Sequence, residues 1–95
     1  MKNGIYVCNK EDFGRGNIKV KFKETKSSYI LDLIENTAYF STGHIEMMFQ
    51  NSNRCIIKKD RSQHAFLKDD YNGEWFTIYP FRAGIPFLFN YIEDV

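Results

Sequence analysis

Turn formers are scarce in this chain: two prolines and six glycines in 95 residues. That excludes collagen-like repeats and Pro/Gly-rich disordered chains. Cysteine is scarcer still. Cys8 and Cys55 lie far apart in sequence and in no metal-type spacing. Small secreted domains usually carry four or more cysteines, so a reducing, cytoplasmic setting is expected. Met1 to Ile5 hold one basic residue and no apolar stretch, which predicts no secretory signal. No apolar run approaches the ~18 residues of a membrane-spanning helix. His44 and His64 are the only histidines, and no His/Cys spacing resembles a zinc site. No metal and no cofactor is therefore expected. A net charge of +1 removes bulk attraction to nucleic acid or to a membrane.

What the chain does have is aromatic residues, 17 % of the total: nine Phe, six Tyr and one Trp. A domain of this length buries only about 60–70 % of its unfolded surface. Large rings, each burying roughly 150–250 Å², compensate for that. Residues 1–95 are read as one domain. Charge is segmented. Residues 1–26 carry seven basic groups against three acidic, and residues 27–53 carry only Asp32, Glu35 and Glu46. Residues 54–68 carry five basic groups against Asp60, and residues 69–95 carry Arg82 against five acids. Such blocks either pair internally or present faces of opposite sign to a partner, including a second copy in a homodimer.

The dominant period is two, the signature of strands. Ile18-Lys19-Val20-Lys21-Phe22-Lys23 alternates strictly, apolar on one side and lysine on the other. Tyr29 to Ile34 is apolar on both sides except for Asp32. A hairpin through Thr25-Lys26-Ser27-Ser28 sets Phe22 opposite Leu31, Val20 opposite Leu33 and Lys21 opposite Asp32, matching apolar faces and one charge pair. A helix over 28–35 capped by Ser28 competes; the β-branched content and the pairing favour the strand. Ile5 to Cys8 reads as a first strand, Tyr39 to Thr42 as a short one, and Cys55 to Lys58 as another. Ile45, Met48 and Phe49 recur at helical spacing, which predicts one short helix near 44–50.

In the last third, His64–Lys68 and Glu74–Tyr79 flank Asn72-Gly73, a strong hairpin signal. One face of that ribbon holds Ala65, Leu67, Phe76 and Ile78. The other holds Phe66, Lys68, Trp75, Thr77 and Tyr79. After a loop from Pro80 to Pro86, the simplest register places Phe87, Phe89 and Tyr91 of a final strand on the Trp75/Tyr79 face. The expected fold is mainly β (α+β): a bent antiparallel sheet, or a small barrel or sandwich, of about seven strands with one short helix.

Three surfaces stand out. The aromatic set Trp75, Tyr79, Phe87, Phe89 and Tyr91, with Arg82 at its rim, suits a protein interface, where Trp, Tyr and Arg are the usual anchors. The same rings as ordinary core are the competing reading. Asp69, Asp70 and Glu74 crowd a hairpin tip, where carboxylates could imitate phosphates; a merely solubilising tip is the bland alternative. Lys19, Lys21 and Lys23 project at roughly 6.6 Å intervals, close to the phosphate spacing of single-stranded nucleic acid. Arg15, Lys58, Lys59 and Arg61 extend that stripe. Against it stands a solvated face, or an edge strand guarded by lysines. Phe13-Gly14-Arg15-Gly16-Asn17 has only a bare Gly-x-Gly followed by a strand, so it reads as a turn.

The function expected from these features is a non-enzymatic protein-binding module acting by occlusion. An inhibitor from a bacterium or phage, for example of a host defence nuclease in the anti-CRISPR manner, is one concrete version. The alternative is a single-stranded nucleic-acid binder using the lysine stripe and aromatic stacking. A small hydrolase or transferase built on Cys55 and His64 is the third class; the usual nucleophile and acid/base clusters are missing.

Overall fold

The computed structural model describes residues 2–9, 17–37, 49, 52–60, 65–69, 73–80 and 87–95; for Asn9, 65–69 and Pro80 it describes the backbone alone. Seven strands form one sheet: β1 (Gly4–Asn9), β2 (Asn17–Glu24), β3 (Ser28–Asn36), β4 (Arg54–Lys58), β5 (Ala65–Asp69), β6 (Trp75–Pro80) and β7 (Phe87–Glu93). Every pairing is antiparallel. The order is β4-β3-β2-β1-β7-β6-β5, so β1 and β7, the first and last strands, are neighbours at the centre. The mainly β, bent antiparallel architecture expected from the alternation is the one found. The helix expected at 44–50 and the strand at 39–42 lie outside the described residues, except that Phe49 is helical and buried in the core.

The β2–β3 hairpin shows how pattern becomes register. Phe22 faces Leu31, Val20 faces Leu33 and Lys21 faces Asp32. Ile18, Val20 and Phe22 are fully buried, while Lys21 and Lys23 are exposed. The turn is tighter than the four residues expected. Thr25 N donates to Ser28 O at 2.8 Å and Ser28 N to Thr25 Oγ1 at 3.0 Å. Lys26 and Ser27 are left alone at the tip. A register shift between Lys19 and Val20 then accommodates the remaining length of β3.

β4 and β5 are consecutive in the chain, sit at opposite ends of the strand order, and approach one another. The sheet is therefore curled, a half-barrel. Counting antiparallel neighbours along the order gives β4 and β5 the same direction, so no tight hairpin can join them. The curl is also visible in the rings. Phe22 on β2 and Phe76 on β6 are three strand steps apart, about 14 Å in a flat sheet. Their centroids are 5.1 Å apart. Tyr6 lies 4.8 Å from Phe76 and 5.5 Å from Phe22, and Phe89 stacks on Phe76 at 4.9 Å. These rings, with Cys8, Leu31, Cys55, Ile57, Ile78 and Phe87, fill the concave side. Burying each Phe contributes about 1.5–3 kcal/mol.

Tyr6 brings a polar group into this core and satisfies it. Its hydroxyl lies 2.6 Å from both Lys2 O and Gly73 O, sharing one proton between two carbonyl acceptors. Gly73 has φ +73°, and a Cβ there would meet Lys2 Cβ at 2.5 Å. A side chain at Gly4 would strike the Tyr91 ring, also at 2.5 Å. Both glycines let the segment from Lys2 to Gly4 lie across the end of the half-barrel.

Tyr6→Phe is expected to destabilise by about 1–3 kcal/mol, because the buried Gly73 carbonyl loses its donor. Phe76→Ala, which empties the middle of the ring cluster, is expected to cost about 3–5 kcal/mol. Urea denaturation with an unchanged m-value checks both.

Candidate functional site: the outward face of the sheet

Because alternate residues of β1–β4, β6 and β7 fill the core, the intervening residues of these strands form an outward face. Cross-strand register orders them. One row runs Glu35, Lys19, Val7, Asn90, Trp75. A second runs Arg54, Asp32, Lys21, Ile5. Ile56 faces Ile30, which faces Lys23. Leu88 faces Thr77. The face thus has a lysine column on β2, an aliphatic pair on β3 and β4, and an aromatic and aliphatic region on β6 and β7.

Of the expected aromatic surface, Trp75 and Tyr79 lie on this outward side, half-buried. Phe87 and Phe89 do not join them. Phe87 pairs with Ile78 and Phe89 with Phe76, and both are buried in the core. The expected register was one residue out, and in a strand that inverts every side chain. Tyr91 also leaves the Trp75 face. It has the inward parity of Phe89 and lies opposite Tyr6, with ring centroids 5.5 Å apart. Its ring lies under Lys2 Nζ at 3.8 Å, and its hydroxyl donates to Asp94 Oδ1, which raises the phenol pKa. Phe87, Phe89 and Tyr91 are accordingly removed from the candidate docking surface. Arg82 and Asp70 lie outside the described residues. Asp69 is described by its backbone alone, opposite Phe76. Glu74 is exposed beside the start of β6.

Of the lysine stripe, Lys21, Lys23 and Lys58 are exposed and Lys19 is half-buried. Arg15 and Arg61 lie outside the described residues. Lys59 is engaged: its Nζ donates to Glu24 Oε2 at 2.6 Å and sits 5.1 Å from the Tyr29 ring. That hydrogen bond holds the Glu24 carboxyl below its ordinary range. The charge pair expected between Lys21 and Asp32 is placed in register, yet the ion pair forms elsewhere. Arg54 Nε and its terminal nitrogen donate to the two Asp32 oxygens at 2.7 and 3.1 Å. This two-pronged bond lowers the Asp32 pKa, against desolvation, and Lys21 adds a weaker pull through space. Arg54 was outside the expected site. The β3–β4 register that reveals it has no turn signal to anchor it, since residues 38–51 intervene.

Cys55 faces inward between β3 and the core, and burial pushes its thiol up to about 11. A nucleophilic cysteine needs the opposite shift. Cys8 is equally buried, and neither cysteine is in a disulfide. His64 lies outside the described residues. Among the described residues no cluster of His, Cys, Asp or Glu could hold a metal ion, and no helix is long and apolar enough to cross a membrane. Comparison with family models, with curated proteins and with solved structures returns no match to this chain.

Two outcomes are expected. Asp32 has a folded pKa below its ordinary 3.8, so its contribution is complete above that pH and is lost as pH falls through the folded value. The stability gap between wild type and Asp32→Asn, about 0.2–1 kcal/mol for so exposed a pair, should close on acidification below about pH 4. Urea midpoints across that range test it. Secondly, a thiol reagent at pH 8 should leave Cys8 and Cys55 unmodified in the native protein and titrate both after unfolding.

Proposed function

We propose that this chain is a non-enzymatic binding module that engages one protein partner through the outward face of its sheet and acts by occlusion, covering a surface its partner needs. The observation that carries the reading is the apolar character of β6 and β7 on that face. Leu88 is 46 % exposed and Ile92 43 %, beside half-buried Trp75 and Tyr79. Interfaces place aromatic and aliphatic anchors among polar neighbours such as Thr77 and Asn90. The filled concave side supports this reading too, since a core packed with rings leaves recognition to the convex side. An inhibitor of a larger enzyme or defence complex is the natural use of such a module.

A second reading, single-stranded nucleic-acid binding, draws on Lys19, Lys21 and Lys23. It needs rings beside those lysines for base stacking. The strands flanking β2 present Ile5, Val7 and Ile30 there instead. The protein-binding reading is therefore preferred.

The test is affinity purification of the tagged full chain from its source cells, with mass spectrometry of what is retained. A specific protein should be retained by wild type and lost with Leu88→Asp, a substitution at an exposed position that should leave the melting temperature unchanged. Trp75→Ala should weaken the complex by about 2 kcal/mol or more if Trp75 is an anchor. Retention of no protein, or equal retention by Leu88→Asp, overturns the proposal.

A further inference from the structure

The strand order removes one bland explanation of the lysine column, that of an edge strand. Lysines often protect the open edge of a sheet from pairing with other chains. β2 is not an edge: it is hydrogen-bonded to β1 on one side and β3 on the other. Lys19, Lys21 and Lys23 therefore stand on the face of an interior strand. Strict alternation with the buried Ile18, Val20 and Phe22 fixes them all on the outward side.

Among the described residues no acid forms an ion pair with them. Asp32, opposite Lys21, is taken by both prongs of Arg54. Glu24 is taken by Lys59. Glu35 faces Lys19 in register without an ion pair. Among the described residues, the side chains of Lys19, Lys21, Lys23 and Lys58 make no hydrogen bond or salt bridge. Three lysines along β2, at roughly 6.6 Å intervals, thus share the outward face with Lys58, two strands away at the end of β4.

Between these cations lies aliphatic surface. Ile30 is opposite Lys23, and Ile56 is opposite Ile30 and 44 % exposed. No aromatic ring points outward on β2, β3 or β4 among the described residues; Tyr29 packs inward, 5.8 Å from Phe22. Cations around branched aliphatics, without rings, fit a ligand that carries both carboxylates and aliphatic side chains. A nucleic acid offers phosphates and flat bases, and would leave Ile30 and Ile56 uncovered.

From this we infer that the outward face of β2–β4 docks an acidic, aliphatic-bearing protein segment, with Lys19, Lys21, Lys23 and Lys58 meeting its carboxylates and Ile30 and Ile56 its apolar side chains. The inference rests on the protein-binding reading above and names the chemistry of the partner. It adds a second, charge-selective half to the face that begins at Trp75 and Leu88.

The probe is a fluorescein-labelled peptide of repeating Glu-Leu-Glu-Asp, titrated with the full chain and followed by fluorescence anisotropy. The comparators are its neutral Gln-Leu-Gln-Asn counterpart and labelled oligothymidylate. Wild type should bind the acidic peptide in preference to both, and more weakly as salt is raised. The double variant Lys21→Glu/Lys23→Glu should lose about tenfold or more in affinity. Ile56→Ala should weaken binding several-fold with the salt dependence intact. Unchanged affinity in the double variant, tighter binding of oligothymidylate, or no effect of Ile56→Ala would each overturn the inference. The two readings separate in the purification experiment. A partner lost with Leu88→Asp but retained by Lys21→Glu/Lys23→Glu leaves the protein-binding reading standing and removes this one.

Discussion

The ring cluster of Tyr6, Phe22, Phe76 and Phe89 is the constraint on which the structure depends. It draws β2 and β6, which share no hydrogen bond, to within ring contact across the concave side. The backbone ladders alone would permit a flatter sheet. Packing the rings makes it curl, because side chains three strands apart can meet only if the strands between them bend. Tyr6 sits at the centre of that bend and is also tied by its hydroxyl to the chain at Lys2 and Gly73. One residue thus couples the core, the first strand and the turn before β6.

The curl divides labour between the two sides of the sheet. Inside there is no buried polar or charged residue among those described, only rings, aliphatics and the thiols of Cys8 and Cys55, with the Tyr6 phenol satisfied at its rim. Outside, charge and apolar surface are sorted by strand. Cations dominate β2 and the end of β4, whereas Trp75, Tyr79 and Leu88 occupy β6 and β7. β1 carries Ile5 and Val7 between the two regions. The blocks of alternating sign along the sequence meet in space only in part: Asp32 of an acidic block pairs with Arg54 of a basic one, whereas Glu24 and Lys59 both come from basic blocks.

Where the turn between two strands is tight, the sequence was readable. The β2–β3 register followed from matching two apolar faces, and a single polar residue, Asp32, favoured the strand over the competing helix. The β5–β6 parity was equally legible because Asn72-Gly73 marks the turn and an even number of loop residues preserves the face. The β6–β7 connection has no such marker. Residues 81–86 carry Arg82 and Gly84 but fix no register, and both sides of Phe87–Ile92 hold large apolar residues. A slip of one therefore seemed harmless and put Phe87 and Phe89 on the wrong side. Of the candidate site, the lysine column was legible and the isoleucines beside it were not. Ile30 lies in a stretch that is apolar on both sides, so its direction depends on the β2 pairing. Ile56 becomes its neighbour only once β4 is placed, after a long intervening segment.

Placing β1 between β2 and β7 has a consequence for synthesis. Ile5 must find Glu93, and Val7 must find Asn90, at nearly the greatest separation the chain allows. The entropy of closing so long a loop must be met before the central ladder forms. A nascent chain on the ribosome can complete the β2–β3 hairpin early, yet its first strand keeps one bare edge until residues 87–93 have left the exit tunnel. A stalled or truncated product would expose that edge together with Tyr6 and Cys8, and would be a target for chaperones and proteases.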